Sequence, residues 1–156
     1  MSELKIVVAR YTDPDAQLLI RATLRDLGER YNSSGDETPV DPTEFDPPHG
    51  AFLVGYFGAD PVSCAGWRSH GDNGLVAELK RMYTAPQARR KGLARRMLAA
   101  VEDSAREHGR RRLILETGSK QPESIAMYQA CGYAAIDNFG FYKEYPGVRS
   151  FGRDLH

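Results

Sequence analysis

A chain of 156 residues, 41% hydrophobic and 27% charged, has the size and makeup of a single globular domain (residues 1–156) with a real core. Its 21 acids balance 21 lysines and arginines, which argues against a surface built wholly for a polyanion. No apolar run approaches the roughly 18 residues of a membrane span, residues 1–10 read as a strand with polar flanks rather than a secretory signal, and the two cysteines, Cys64 and Cys131, have no metal or disulfide spacing and read as buried thiols of a reducing cytoplasm.

In chain order, Leu4 to Ala9 reads as a first strand. Asp13-Pro14 is an N-cap followed by proline at the first helical position. Ala16, Leu19, Ile20, Thr23, Leu24 and Leu27 then recur at helical spacing, which predicts a helix to about Tyr31. Asn32 to Gly50 is rich in Pro, Asp and Gly and reads as a long loop with room for a helical turn; loops of that length are usually functional or disordered. It holds Asp36, Glu37, Asp41, Glu44 and Asp46 without a Lys or Arg, whereas basic residues predominate from Lys80 to Arg112. One region should attract cations and the other anions, unless both are simply solvated faces.

Ala51 to Phe57 and Val62 to Arg68 are strand-like runs joined by the turn signal Gly58-Ala59-Asp60-Pro61, and Leu75 to Tyr83 is the third member of this meander. Gly92 to His108 reads as a helix with Leu93, Met97, Ala100, Val101 and Ala105 on one face and Arg95, Glu102 and Arg106 on the other, ended at Gly109. Arg112 to Glu116 is a strand, and Pro122 to Ala130 a short helix ended at Gly132. Tyr133 to Ile136 and Val148 to Arg153 are final strands flanking an aromatic, Gly-rich segment. The order β-α-β-β-β-α-β-α-β-β predicts an α+β class with a mixed sheet.

The run Arg89-Arg90-Lys91-Gly92-Leu93-Ala94 follows a strand and a proline turn and opens an amphipathic helix, a setting in which backbone amides and cations bind phosphate. It is neither a Walker P-loop nor the dinucleotide fingerprint, because the further glycines are absent. The alternatives are a solvated helix start or a nucleic-acid patch; zero net charge and the lack of interleaved aromatics weaken the latter.

With these residues in view, the sequence resembles the GNAT superfamily of N-acetyltransferases. The family's Gln/Arg-x-x-Gly-x-Gly/Ala motif is matched by residues 89–94. Its Ala-x-x-Leu-Tyr-x-x-x-Gly-Phe/Tyr segment is similar to Ser124-Ile125-Ala126-Met127-Tyr128-Gln129-Ala130-Cys131-Gly132-Tyr133. The resemblance implies a GNAT-like fold, in which a mostly antiparallel mixed sheet splays between its fourth and fifth strands and is flanked by helices. It implies acetyl-CoA as co-substrate, no metal, and direct acetyl transfer to an amine in a ternary complex. The pyrophosphate would lie on the amides of Arg90, Lys91, Gly92, Leu93 and Ala94, with charge from Arg89 and Arg95. The pantetheine arm would run along Met82, Tyr83 and Thr84. Gln121 stands where many relatives carry an Asn that contacts the arm, and offers the same hydrogen-bonding groups.

An alkylamine with a pKa of about 10.4 must lose a proton before it attacks, and the departing thiolate gains from a donor. Glu78, an acid in a strand expected to be central, is the first candidate base; its bland role is an ion pair with Lys80 or Arg81. Tyr128 occupies the place of the family's tyrosine near the sulfur and is the candidate acid. Glu116 is a second candidate base or an anchor for the substrate amine, with pairing to the Arg110–Arg112 cluster as its bland role. Trp67 reads as packing or as cleft lining, and the four histidines as surface or loop residues. The acidic 31–50 segment and the aromatics Phe139, Phe141, Tyr142 and Tyr145 suit a cationic acceptor: an amino acid, polyamine, amino sugar, or a protein amine. No nucleic-acid or membrane partner is expected, and a homodimer is compatible with the reading. The competing classes are a coenzyme-A-binding sensor without turnover and a nucleic-acid-binding protein.

Overall fold

The computed structural model describes residues 3–156. One sheet runs in the order β1-β2-β3-β4-β5-β7-β6. Its strands are β1 Leu4–Ala9, β2 Gly50–Phe57, β3 Asp60–His70, β4 Val76–Thr84, β5 Arg112–Gly118, β6 Ala134–Ala135 and β7 Val148–Asp154. The helices are α1 Pro14–Tyr31, α2 Leu93–Glu107 and α3 Pro122–Ala130. All neighbouring strands are antiparallel except β4 and β5, so the α+β class with a mixed sheet is the one formed. The 32–49 segment contains one 3-10 turn, Pro42–Phe45, closed reciprocally by Asp41, which accepts from the Thr43 amide, and Glu44, which accepts from the Asp41 amide. β6 is shorter than the sequence suggests because Tyr133 closes α3 instead, donating its N–H to the Tyr128 carbonyl at 3.0 Å.

Strand periodicity sorts the core onto two faces. In β2, Ala51 and Leu53 pack with Met97, Leu98 and Val101 of α2, whereas Phe52 and Val54 pack with Leu19 and Ile20 of α1 and with Phe45. Met97, Leu98 and Val101 are fully buried, each contributing about 1.5–3 kcal/mol relative to exposure. Glu102 departs from its expected place on the polar face of α2. It is buried, and its carboxylate accepts from Tyr133 Oη at 2.7 Å and Arg153 Nη1 at 2.9 Å, which offsets the cost of desolvating it.

Two irregularities of the sheet make room for a site. β4 carries one extra residue: Lys80 opposes Gly66 while Tyr83 opposes Cys64. Arg81 within this bulge has φ +59°, a left-handed conformation that costs a non-glycine residue about 1–2 kcal/mol. The extra residue reverses the alternation. Before it, Ala77 and Leu79 face the α2 core; after it, Met82 does so and Tyr83 joins the α1 side. Cys64, buried and with its thiol pushed up to about 12 by burial, donates to the Arg81 carbonyl at 3.2 Å and so braces the bulge. The second irregularity is the parallel ladder, which joins β4 and β5 only from Val76–Glu78 to Arg112–Ile114. Beyond it the strands part.

Candidate active site

Two joined cavities occupy the gap between β4 and β5. The larger, about 730 Å³, lies between β4 past its bulge, the start of α2, and α3. The smaller, about 350 Å³, lies between the end of α1, the segment after it, and the 142–148 turn. Leu27, Asp36, Lys80, Glu116, Thr117 and Gln121 line both.

The larger cavity gathers most of the residues expected to bind a coenzyme. Met82, Tyr83 and Thr84 form its strand side. Arg89, Arg90 and Gly92 lead into Leu93, Ala94 and Arg95, the first turn of α2, whose amides have no intrahelical acceptor. Gly92 caps the helix at φ +75°, and a Cβ there would meet nothing within 4 Å. The backbone at this helix start is therefore unobstructed by a side chain, and the positive end of the helix borders the cavity. Arg89 is held in place by donating from Nε to the Thr84 carbonyl at 2.9 Å and by lying over the Tyr83 ring. Lys91 lies apart: its ammonium sits over the Phe57 ring, outside the cavity lining. A helix start with open amides and four lining cationic or glycine positions fits a pyrophosphate.

Tyr128 lines the larger cavity from α3 and is 6% exposed. Its hydroxyl has a thioether as partner, Met82 Sδ at 3.5 Å, a weak acceptor that leaves the O–H available. Burial raises its pKa above the ordinary phenol range, so it stays protonated as a donor. Gln121 spans both cavities and donates to Tyr31 Oη at 3.1 Å.

The two candidate carboxylates have different surroundings. Glu78 is buried and lines neither cavity. It accepts from Arg68 Nε at 3.2 Å, and Arg68 also reaches Glu44 Oε1 and the Pro39 carbonyl, both at 3.0 Å. Its partner is thus neither Lys80 nor Arg81. Arg68 stands directly opposite Glu78 in the β3–β4 ladder, closer than any same-strand neighbour two residues on. Glu116 lines both cavities, and both of its oxygens are buried without a hydrogen-bond partner. The basic cluster nearby in sequence is engaged elsewhere: Arg110 with the Gly74 and His108 carbonyls and Ser69 Oγ, Arg112 with Asp154. Burial pushes the Glu116 carboxyl up to about 7; Lys80 opposes this, and Glu78 and Asp36 reinforce it.

Asp36 and Lys80 join the site without having been singled out by their sequence context. Although burial works against ionisation, the ammonium of Lys80 and the guanidinium of Arg81 hold the Asp36 carboxyl down at about 2. Most other acids of the 32–50 loop are turned to structural use, Asp41 and Glu44 in the 3-10 turn, Glu44 also on Arg68, and Asp46 toward Arg10; only Asp36 and Glu37 line the smaller cavity. Of the aromatics, Tyr31, Tyr142 and Tyr145 line it. Trp67 is fully buried, donates from Nε1 to Ser104 Oγ at 2.9 Å, and serves packing. No histidine lines either cavity.

The acetyltransferase (GNAT) family model matches residues 19–133. An IAA acetyltransferase from Azospirillum brasilense is 35% identical over 124 residues, 80% of each chain. A solved structure from Klebsiella pneumoniae assigned to the acyl-CoA N-acyltransferases superposes with a TM-score of 0.80 at 28% identity, over 98% of both chains. A GNAT acetyltransferase from Elizabethkingia anophelis, solved with acetyl-CoA bound, shares the fold at a TM-score of 0.71 and 15% identity, over 99% of this chain and 100% of its own. The chain therefore belongs to the acetyltransferase (GNAT) family and is an acyltransferase.

Proposed function

We propose that this enzyme transfers the acetyl group of acetyl-CoA to a primary amine by direct attack in a ternary complex, with Glu116 as the base and Tyr128 as the donor to the leaving sulfur. The observation that carries the reading is the unpartnered Glu116 carboxylate at the junction of the two cavities. Bound acetyl-CoA supplies an activated thioester. Arg89, Arg90 and Arg95 with the α2 amides hold its phosphates, and Met82 to Thr84 guide its arm.

Glu116 and Glu37 attract the protonated amine into the smaller cavity. Glu116, poised near neutrality, takes a proton from the bound ammonium before attack and releases it to solvent after turnover; the neutral nitrogen then bonds to the acetyl carbon, and its surplus proton replaces the one that Tyr128 gives up. The carbon–sulfur bond breaks, and Tyr128 delivers its proton toward the sulfur. Glu78, tied to Arg68, anchors the 39–44 segment to the sheet and leaves the proton work to Glu116. The choice of Glu116 over Glu78 rests on cavity access.

The test is release of free thiol from acetyl-CoA across an amine panel, alongside calorimetry with acetyl-CoA. Amine-dependent thiol release is expected. Absence of coenzyme binding at near-millimolar concentration would overturn the reading; binding without release on any amine would reduce the protein to a coenzyme-binding module.

A further inference from the structure

The smaller cavity contains a cation that the transfer chemistry does not use. Lys80 lines it, and its ammonium makes one contact, to Asp36 Oδ2 at 3.1 Å, leaving further N–H donors unmatched. The same Asp36 oxygen takes Arg81, while Oδ1 accepts from the amide and hydroxyl of Thr38 at 2.9 and 2.6 Å. One saturated carboxylate thus balances two side chains that are each 5% exposed, and the trio keeps a net positive charge. Glu116 lines the same cavity, both of its oxygens are buried without a hydrogen-bond partner, and among the described residues no ion pair joins it to Lys80. Glu37 also lines the cavity, accepting from Ser34 Oγ at 2.7 Å, whereas Glu44, Arg68 and Glu78, the neighbouring charged triplet, lie outside the lining.

Burying an unmatched positive group and an unmatched carboxylate side by side without joining them is costly, and a ligand of the complementary pattern would relieve both. Leu27, Tyr31, Tyr142 and Val148 add apolar or aromatic surface to the same cavity, whose volume is at the small end of ligand sites. A polyamine would instead bring a second positive charge toward Lys80, and an amino sugar would offer it no carboxylate.

Resting on the amine reading above, we propose that the acceptor is a free amino acid with an aromatic or aliphatic side chain, its ammonium at Glu116 and its carboxylate at Lys80. Lys80 then sets specificity, and the tyrosines receive the side chain.

Matched acceptors test this: phenylalanine, phenylalaninamide and phenethylamine, with the corresponding leucine set, each assayed by thiol release. The free amino acids should exceed their amides and descarboxy amines in kcat/KM by about tenfold or more, as expected for a charge-assisted contact. In Lys80→Met that preference should collapse to about twofold, chiefly through KM of the amino acids, while Lys80→Arg should retain most of it. Equal or better use of the amides by the unaltered enzyme would overturn the amino-acid assignment and leave the amine reading standing. An undiminished preference in Lys80→Met would overturn the role of Lys80. Binding of acetyl-CoA with no turnover of any amine would remove the amine reading itself, and this inference with it.

Discussion

The larger cleft draws most of its lining from two stretches, 79–95 and 115–128, and presents backbone, an open glycine and several guanidinium groups. The smaller cavity takes residues from α1, the segment after it, Lys80 of β4, the end of β5 and the 142–148 turn, and presents individual side chains. The first has the makeup that would suit a large ligand of fixed charge. The second is an arrangement in which each carboxylate has its own environment, so that Asp36 is held at about 2 and Glu116 at about 7. Binding by many weak backbone contacts tolerates exchange of any one side chain but not obstruction of the backbone. Chemistry at a single carboxylate has the opposite sensitivity.

Gly92→Glu should break the first region most severely. It puts a side chain and a negative charge on the open side of a left-handed residue at the positive end of α2. Acetyl-CoA affinity should fall by at least about 10³-fold in calorimetry; unchanged affinity would remove the pyrophosphate assignment. Glu116→Gln breaks the second region. Affinity for acetyl-CoA should stay close to that of the unaltered enzyme while kcat falls about 10²–10³-fold. The unaltered enzyme should gain kcat/KM as pH rises through about 7, because the ionised carboxylate is the base, and the variant should lack that limb. Stability carries the opposite sign. The folded state holds this proton more tightly than the unfolded chain does, so Glu116 favours folding at low pH and that contribution is lost as pH rises through about 7. Glu116→Gln should therefore melt above the unaltered enzyme at pH 8, with the gap narrowing toward pH 5.

The same division decides what could be read from the sequence. The glycine run, the helix it opens and the Tyr128 segment are contiguous, so their pattern and order reveal the larger cleft and the fold around it. Lys80 and Arg81 meet Asp36 across 44 and 45 residues, inside a loop whose composition shows only an acid excess. Period-two alternation puts Glu78 and Lys80 on one face but is silent on who stands across from them; the 71–75 turn sets that register and gives Glu78 to Arg68. Glu102 looks solvent-facing on a helical wheel because its partners, Tyr133 and Arg153, lie 31 and 51 residues away. The bulge at Arg81 has no signal of its own, since an arginine is a poor choice for a left-handed position.

Two smaller effects sharpen the boundary between the regions. Tyr128 sits in the larger cleft yet is assigned a role in transfer, so Tyr128→Phe should lower kcat about tenfold and change acetyl-CoA affinity by less than about twofold. Loss of affinity with kcat intact would make it a packing residue beside Tyr133. Glu78→Gln should have the least effect on turnover, within about threefold. A glutamine can still accept from Arg68 Nε, and Arg68 keeps Glu44 and the Pro39 carbonyl, so the change removes charge assistance from one hydrogen bond and should cost about 1 kcal/mol in urea denaturation. A kcat loss matching that of Glu116→Gln, with the same missing limb in the pH profile, would instead place the proton transfer at Glu78 through an intervening water. Glu116 would then be the amine's anchor, because of the two carboxylate residues it is the one that lines the cavity.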